Sequence, residues 1–491
     1  MAVSLVTNPG KYLPAYNPIE WQFSSTNIAE CDFRFIADVY INGVFAIRLK
    51  TLPDDNGYGT FRIERILQDS LEGSLELNLF GFTNSSKPIL DYYIEVRERY
   101  NTSNDCTGLT TLSAVLYTSP TNYAWNGAFQ YKESLNYTQN TYKLINAASK
   151  FLTHLPNNTL ISLDSRFAIS MIQYQSVPVV LMELNTYDSS NTLIATNTLT
   201  STYQTISTIG DNYLSVGVGP DNINNTNFDG SPIPAQPLID SSVKYYTIQM
   251  KDGSGNLLSE LKRFDIDLRC EKYPQYRIWW LNRLGAYDSY TFGLKPSKIM
   301  NVTRSTIREF LQTVYAEGQR GESVTTVNAE YLMTFNTNWL TESEGLWLEE
   351  LFTSPDVYAV DSTPLTGRAD ITGAVYNAGL ADLVIPGITL PVGTTFDYVV
   401  DNGTSIGMAN IGSGTITSQD SSTGVYSTDV IASINAGAFI VGYINYEIPN
   451  VDIIPLIVTD SQWQEKKKYN IKNVQYQLTA KPSFKVNIQS L

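Results

Sequence analysis

The stretch "CDFRFIADVYINGVFAIRLKTL" (31–52) alternates apolar and polar side chains on both sides of Asn42-Gly43. A period of two places successive side chains on opposite faces of a strand, and Asn-Gly supplies the two left-handed residues a type I′ turn requires. The segment therefore predicts an antiparallel hairpin. Similar pivots stand at Asn126-Gly127, Asp252-Gly253 and Asn402-Gly403. Thr, Val, Ile and Tyr fill the runs between them, side chains that suit a pleated, half-buried surface. The expected fold is all-β, with several antiparallel β-sandwich-like domains and one or two short helices.

The best helix signal is "LTESEGLWLEELFTSP" (340–355), where Thr341 and Glu344 have capping-box spacing and Ser354-Pro355 ends the run. A weaker one is "RSTIREFLQTVY" (304–315), whose β-branched residues leave strand as the alternative.

A chain of 491 residues exceeds one ordinary core. Shifts in composition divide it into an N-terminal β domain (1–120), a Ser/Thr/Asn-rich β domain ending in a linker (121–237) and an aromatic-rich β domain with a short helix (238–359). Residues 360–452, rich in Gly and Thr with Arg368 as their one cation, read as an inserted β domain. The strands of 453–491 then complete the 238–359 domain.

Much chemistry is excluded by what the chain carries. A net charge of −15 without a basic stripe repels phosphate backbones, so no nucleic acid is expected as a partner. Cys31, Cys106 and Cys270 form no C-x-x-C pair and are odd in number, so they read as small buried residues rather than a disulfide framework. The single histidine, His154, has no ligand or triad partner nearby in sequence, and no phosphate-cradling glycine motif occurs in a strand-to-helix context. "DDNGYG" (54–59) and "DNINNTNFDG" (221–230) lack the spacing of a calcium loop and read as turns. The acidic runs "FRIERILQDSLEG" and "ESEGLWLEELF" read as solvated faces. No cofactor, metal or catalytic residue is assigned. The N-terminal residues show no signal-peptide pattern, and the longest apolar run, "AGAFIVGYI" (436–444), is far below the ~20 residues of a membrane helix. No membrane partner is expected.

The densest aromatic cluster is "YPQYRIWWLNRLGAYDSYTF" (273–292). "YRIWWL" alternates as a strand, Gly285 supplies a turn, and "YDSYTFGL" returns, with apolar side chains on both faces. Trp279, Trp280, Arg283, Tyr287 and Tyr290 are thus core or interface candidates. The rival is a sugar-stacking platform built on exposed Trp279 or Tyr287, with Asn282 and Asp288 beside it.

"YRIWWLNRLGAYDSYTF", "NVTRSTI", "WLTESEGLWLEELFTSPDVY" and "PLIVTDSQWQEKKKYNIKNVQYQL", with the N-terminal "FRFIADVYINGVFAIRLKTLPDDNGYGTFRIERIL", resemble structural virion proteins of tailed phages that infect Bacteroidetes, including crAss-like phages. The resemblance spans residues 20–100, 240–360 and the last 40. It implies a non-enzymatic tail, collar or ring, or baseplate subunit, assembled in the host cytoplasm into the virion. Its partners would be copies of itself and other virion proteins. The alternative is a receptor-binding module for host surface glycan, and the third reading is a virion-associated glycosidase. The resemblance supplies no active-site residues.

Overall fold

Pairing of these alternating runs builds the computed structural model of the chain. It describes residues 3–75, 82–101, 106–138, 141–174, 176, 178–179, 181–200, 212–224, 237–268, 273, 275–308 and 322–361. Beyond these it describes 365–370, 375–377, 382–384, 395–401, 410–419, 425–428, 437–438, 441–448, 452–459, 466–467, 473–482 and 486–488. Strands dominate, and the described residues hold four short helices against the one or two expected.

The Asn42-Gly43 hairpin forms as its sequence requires. Both residues have positive φ (49° and 75°), and Ile41 pairs with Val44 across the turn. Its first strand, Cys31–Ile41, also pairs with the long strand Ile89–Asn101 in a seven-stranded sheet. A three-stranded sheet of Val3–Thr7, Glu20–Ser25 and Tyr58–Arg62 shares one buried cluster with it, including Trp21, Phe23, Phe35, Val39, Phe61 and Ile94.

The other glycine pivots differ. At Asp252 the turn runs to Asn256: Asp252 Oδ1 accepts from the backbone N–H of Ser254 and Asn256, and Gly255, not Gly253, takes the positive φ. Asn126-Gly127 makes no hairpin. The strand Asn122–Trp125 ends there, and the chain continues into the short helix Tyr131–Asn136. Asn402-Gly403 lies outside the described residues, although the strands flanking it, Thr395–Asp401 and Asn410–Gln419, pair antiparallel. Of the weaker helix candidate, 304–308 belongs to the strand Ser297–Arg308 and the rest lies outside the described residues. The stronger candidate is a helix, Glu342–Thr353, with its capping box formed between Thr341 and Glu344.

The chain separates into two units, one of residues 1–357 and 456–491, the other of 358–455. In the first unit, sheets cross the boundaries expected near 120 and 237. Phe82–Ser85 joins a four-stranded sheet with Ala168–Gln173 and Asn212–Gly217. Thr159–Ser162 pairs parallel with Lys262–Asp267. Local composition cannot report such long-range pairing, which makes one unit of the three expected domains. An eight-stranded sheet follows the order Tyr287–Phe292, Tyr276–Leu281, Val357–Asp361, Asp452–Val458, Gln477–Pro482, Glu322–Asn336 and Ser297–Arg308, with Val486–Ile488 beside Glu322–Asn336. The C-terminal strands thus complete the sheet of the aromatic hairpin. In the second unit eight strands, all paired antiparallel, form one connected sheet.

The cysteine expectation is overturned. Cys31 and Cys106 form a disulfide with Cα atoms 5.4 Å apart, and Cys106 is exposed. Cys31 is in register with Asn101 across the sheet, five positions before Cys106 in the sequence. Cys270 lies outside the described residues.

Candidate functional site at the tryptophan hairpin

Tyr276–Leu281 and Tyr287–Phe292 pair antiparallel, with Trp279 opposite Ser289 and Trp280 opposite Asp288. Trp279 is 2% exposed and Trp280 is fully buried, on opposite faces of the strand. Tyr287 is also buried, and Tyr290 is half-buried against Phe292 and Trp347. The Trp280 ring lies 5.0 Å from that of Trp347 on the helix Glu342–Thr353. Neither indole N–H of Trp279 or Trp280 meets a protein acceptor, so packing alone holds these rings. An aromatic platform on Trp279 or Tyr287 is therefore ruled out by burial within the chain, and their place is the core rather than an outer interface.

The tip of the hairpin is tightly specified. Asn282 Oδ1 accepts from the N–H groups of Leu284 and Ala286, and its Nδ2 donates to the carbonyl of Leu152. Gly285 has φ +83°, and a Cβ there would lie 2.1 Å from the carbonyl oxygen of Asn126. The Asn126-Gly127 segment is thus a seat for this tip. Ala128 N–H donates to the carbonyl of Arg283 at 2.6 Å.

Around the tip lies an ion network that the sequence did not reveal. His154 Nδ1 is 2.6 Å from Glu350 Oε1, and its Nε2 is 3.1 Å from Glu133 Oε1. Arg283 reaches Glu350 Oε1 at 3.1 Å, and its backbone N–H donates to Glu350 Oε2 at 3.1 Å. Burial disfavours the charged imidazole, but hydrogen bonds to Glu133 and Glu350 outweigh it and raise the His154 pKa to about 9. Glu133 in turn is lowered: burial opposes ionisation, and the hydrogen bond from His154 overcomes it. Asp288 accepts from Thr153 Oγ1 and Trp347 Nε1, both at 2.8 Å, while burial and then the charge of Glu350 push it up to about 6.

This arrangement is built for cohesion. A general base works best with a pKa near the operating pH and a free nitrogen. His154 instead remains an imidazolium at neutral pH with both nitrogens engaged. Glu350 and Glu344 are buried, which corrects the reading of "ESEGLWLEELF" as a solvated face. Trp347, Glu350 and Leu351 recur at helical spacing, so the same face that carries the core also carries the buried carboxylate.

In the candidate calcium stretch, Asp54 Oδ1 accepts from the N–H groups of Asn56 and Tyr58, the bonding of a turn. Among the described residues no cluster of three His, Cys, Asp or Glu side chains could hold a metal, and no helix is long and apolar enough to cross a membrane. Compared with family models and with curated proteins, the chain matches none.

Proposed function

We propose that this chain is a non-enzymatic structural subunit of a tailed-phage virion, in the tail, collar or baseplate, acting through contacts between copies of itself and with other virion proteins. The sequence resemblance supplies the class. The observation that carries the assembly role is the paired arm Ser297–Arg308 and Glu322–Asn336.

The arm's first strand ends the eight-stranded sheet, so its outer edge has no partner strand among the described residues. Its residues are exposed on both faces, Ile299, Met300 and Ile307 among them, with Val324 on the neighbouring strand. A two-stranded ribbon without a core is marginal in water, and an open edge is a template for strand pairing. Residues 295–308 hold Lys295, Lys298, Arg304 and Arg308 and no carboxylate, in a chain of net charge −15. A basic edge strand with exposed apolar side chains, on an acidic chain, is complementary to the surface of a second copy. The proposed occupant of the edge is that second copy.

Light scattering on the purified chain tests this. The expected native mass is a multiple of the monomer mass, reduced to the monomer by Ile299→Glu with Ile307→Glu. A monomer at every concentration, or an oligomer indifferent to these changes, refutes assembly through the arm. Absence of the chain from the protein content of purified particles refutes the virion role.

A further inference from the structure

We infer that a cleft beside the tryptophan hairpin binds a neutral saccharide. The cleft holds about 360 Å³ and lies between the strand Thr159–Ser162, the hairpin and the segment 338–340. That volume falls at the small end of ligand-holding clefts, roughly 300–1,000 Å³, and suits a ligand of about one or two rings. The rival reading of a sugar platform on Trp279 or Tyr287 is thus replaced by one on other aromatic residues of the same region.

The chemistry of the walls selects the ligand class. Trp339 is 45% exposed at the cleft and Tyr290 lines it half-buried, two aromatic side chains of the kind that pack against the C–H groups of a sugar ring. Planar polar groups stand with them. Gln275 is one of them, its side-chain amide lining the cleft between the hairpin and the strand Thr159–Ser162. Asn338 also lines the cleft, and its backbone N–H donates to the Tyr290 hydroxyl at 3.3 Å.

Charge argues against an anion. The lining carries Arg166 and Arg277 against Asp267 and Glu344, two charges of each sign. Arg166 is paired with Asp221, and Arg277 donates to the carbonyl of Asp164 at 3.0 Å and to Thr291 Oγ1 at 3.4 Å. With the lining charges balanced and the donors of both guanidinium groups engaged, the cleft has no surplus positive charge for phosphate or sulfate. Hydrolysis is disfavoured on similar grounds. Glu344 Oε2 accepts from the N–H and the hydroxyl of Thr341, both at 2.8 Å, and so serves as a helix cap. The site is built to hold a polyol, not to cleave it.

This inference is independent of the assembly role, because none of the cleft residues belongs to the arm. The test is saturation-transfer NMR on the full chain with glucose, galactose, mannose, fucose and N-acetylglucosamine, and with lactose and cellobiose as disaccharides. Inorganic phosphate is the competing probe. At least one sugar is expected to bind with a Kd on the order of 1 mM. Trp339→Ala and Gln275→Leu should each weaken it roughly tenfold while leaving the circular dichroism spectrum unchanged. The exposed Tyr131→Ala, outside the cleft lining, should leave it intact. No binding by any of these sugars, binding that persists in both cleft variants, or displacement of the sugar by phosphate would each overturn the inference.

Discussion

Glu350 Oε1 lies 2.6 Å from His154 Nδ1 across 196 residues of sequence. The contact joins the helix Glu342–Thr353 to the segment that precedes the strand Thr159–Ser162, and Arg283 brings the hairpin tip to the same carboxylate. Because Glu350 is only 2% exposed, its charge depends on these partners rather than on water.

That dependence sets a pH response. The folded pKa of His154, about 9, lies above its ordinary value of 6.5. Its contribution is therefore complete below pH 6.5 and is lost as pH rises through about 9, with a magnitude on the order of 3 kcal/mol. Thermal melts across this window should show a falling midpoint in the parent chain. His154→Gln should be less stable near neutrality and should lack that slope; a slope retained in the variant would locate its source elsewhere.

Asp288 responds in a lower window with the same sign. Its folded pKa of about 6 exceeds the ordinary 3.8, so the folded state holds the proton more tightly and stability declines as pH rises from 3.8 to 6. Asp288→Asn keeps one acceptor for Thr153 or Trp347 and loses the other, at a cost of about 1–2 kcal/mol. Near pH 7 that cost is offset, because the variant has no carboxylate to ionise in the core. Urea titrations should find the variant more damaging in acid than at neutrality.

Two glycines with similar backbone angles should behave differently. Gly43 (φ +75°) has open space where a Cβ would sit, whereas a Cβ at Gly285 (φ +83°) would collide with the carbonyl of Asn126. Gly43→Ala should cost about 1–2 kcal/mol from the left-handed backbone alone. Gly285→Ala should cost several kcal/mol more and loosen the hairpin tip, read as faster hydrogen exchange at Ala128 and Ala286. Equal penalties would contradict the seating of the tip.

The Cys31–Cys106 bridge closes a loop of 75 residues. The chain-entropy model assigns such a link roughly 4 kcal/mol. Melting with and without reductant should show the loss, and Cys31→Ser should reproduce the reduced midpoint. Mass analysis after thiol labelling should count one reactive cysteine in the oxidised chain and three in the reduced chain.

Local rules were readable where local chemistry decides the structure. Asn42-Gly43 fixes its turn by backbone preference, and Thr341 with Glu344 caps its own helix. Asn126-Gly127 misleads because a distant partner, the Gly285 tip, holds it in another conformation. Asp252 misleads because its side chain wraps a longer turn than the dipeptide suggests. The ion network and the disulfide had no signature in spacing, since residues 133, 154, 283 and 350, or 31 and 106, meet only after the sheets pair. The cleft was hidden for the same reason, although its aromatic residues flank a hairpin whose strands the alternation had located.

Val357–Asp361 and Asp452–Val458 are neighbours in one sheet, so the 358–455 unit leaves and re-enters its host through adjacent strands. Adjacent strands run about 4.8 Å apart, which gives the inserted segment ends already joined when it folds. The host sheet is in this sense a socket. Another domain with close termini could be exchanged at this position without re-threading the sheet.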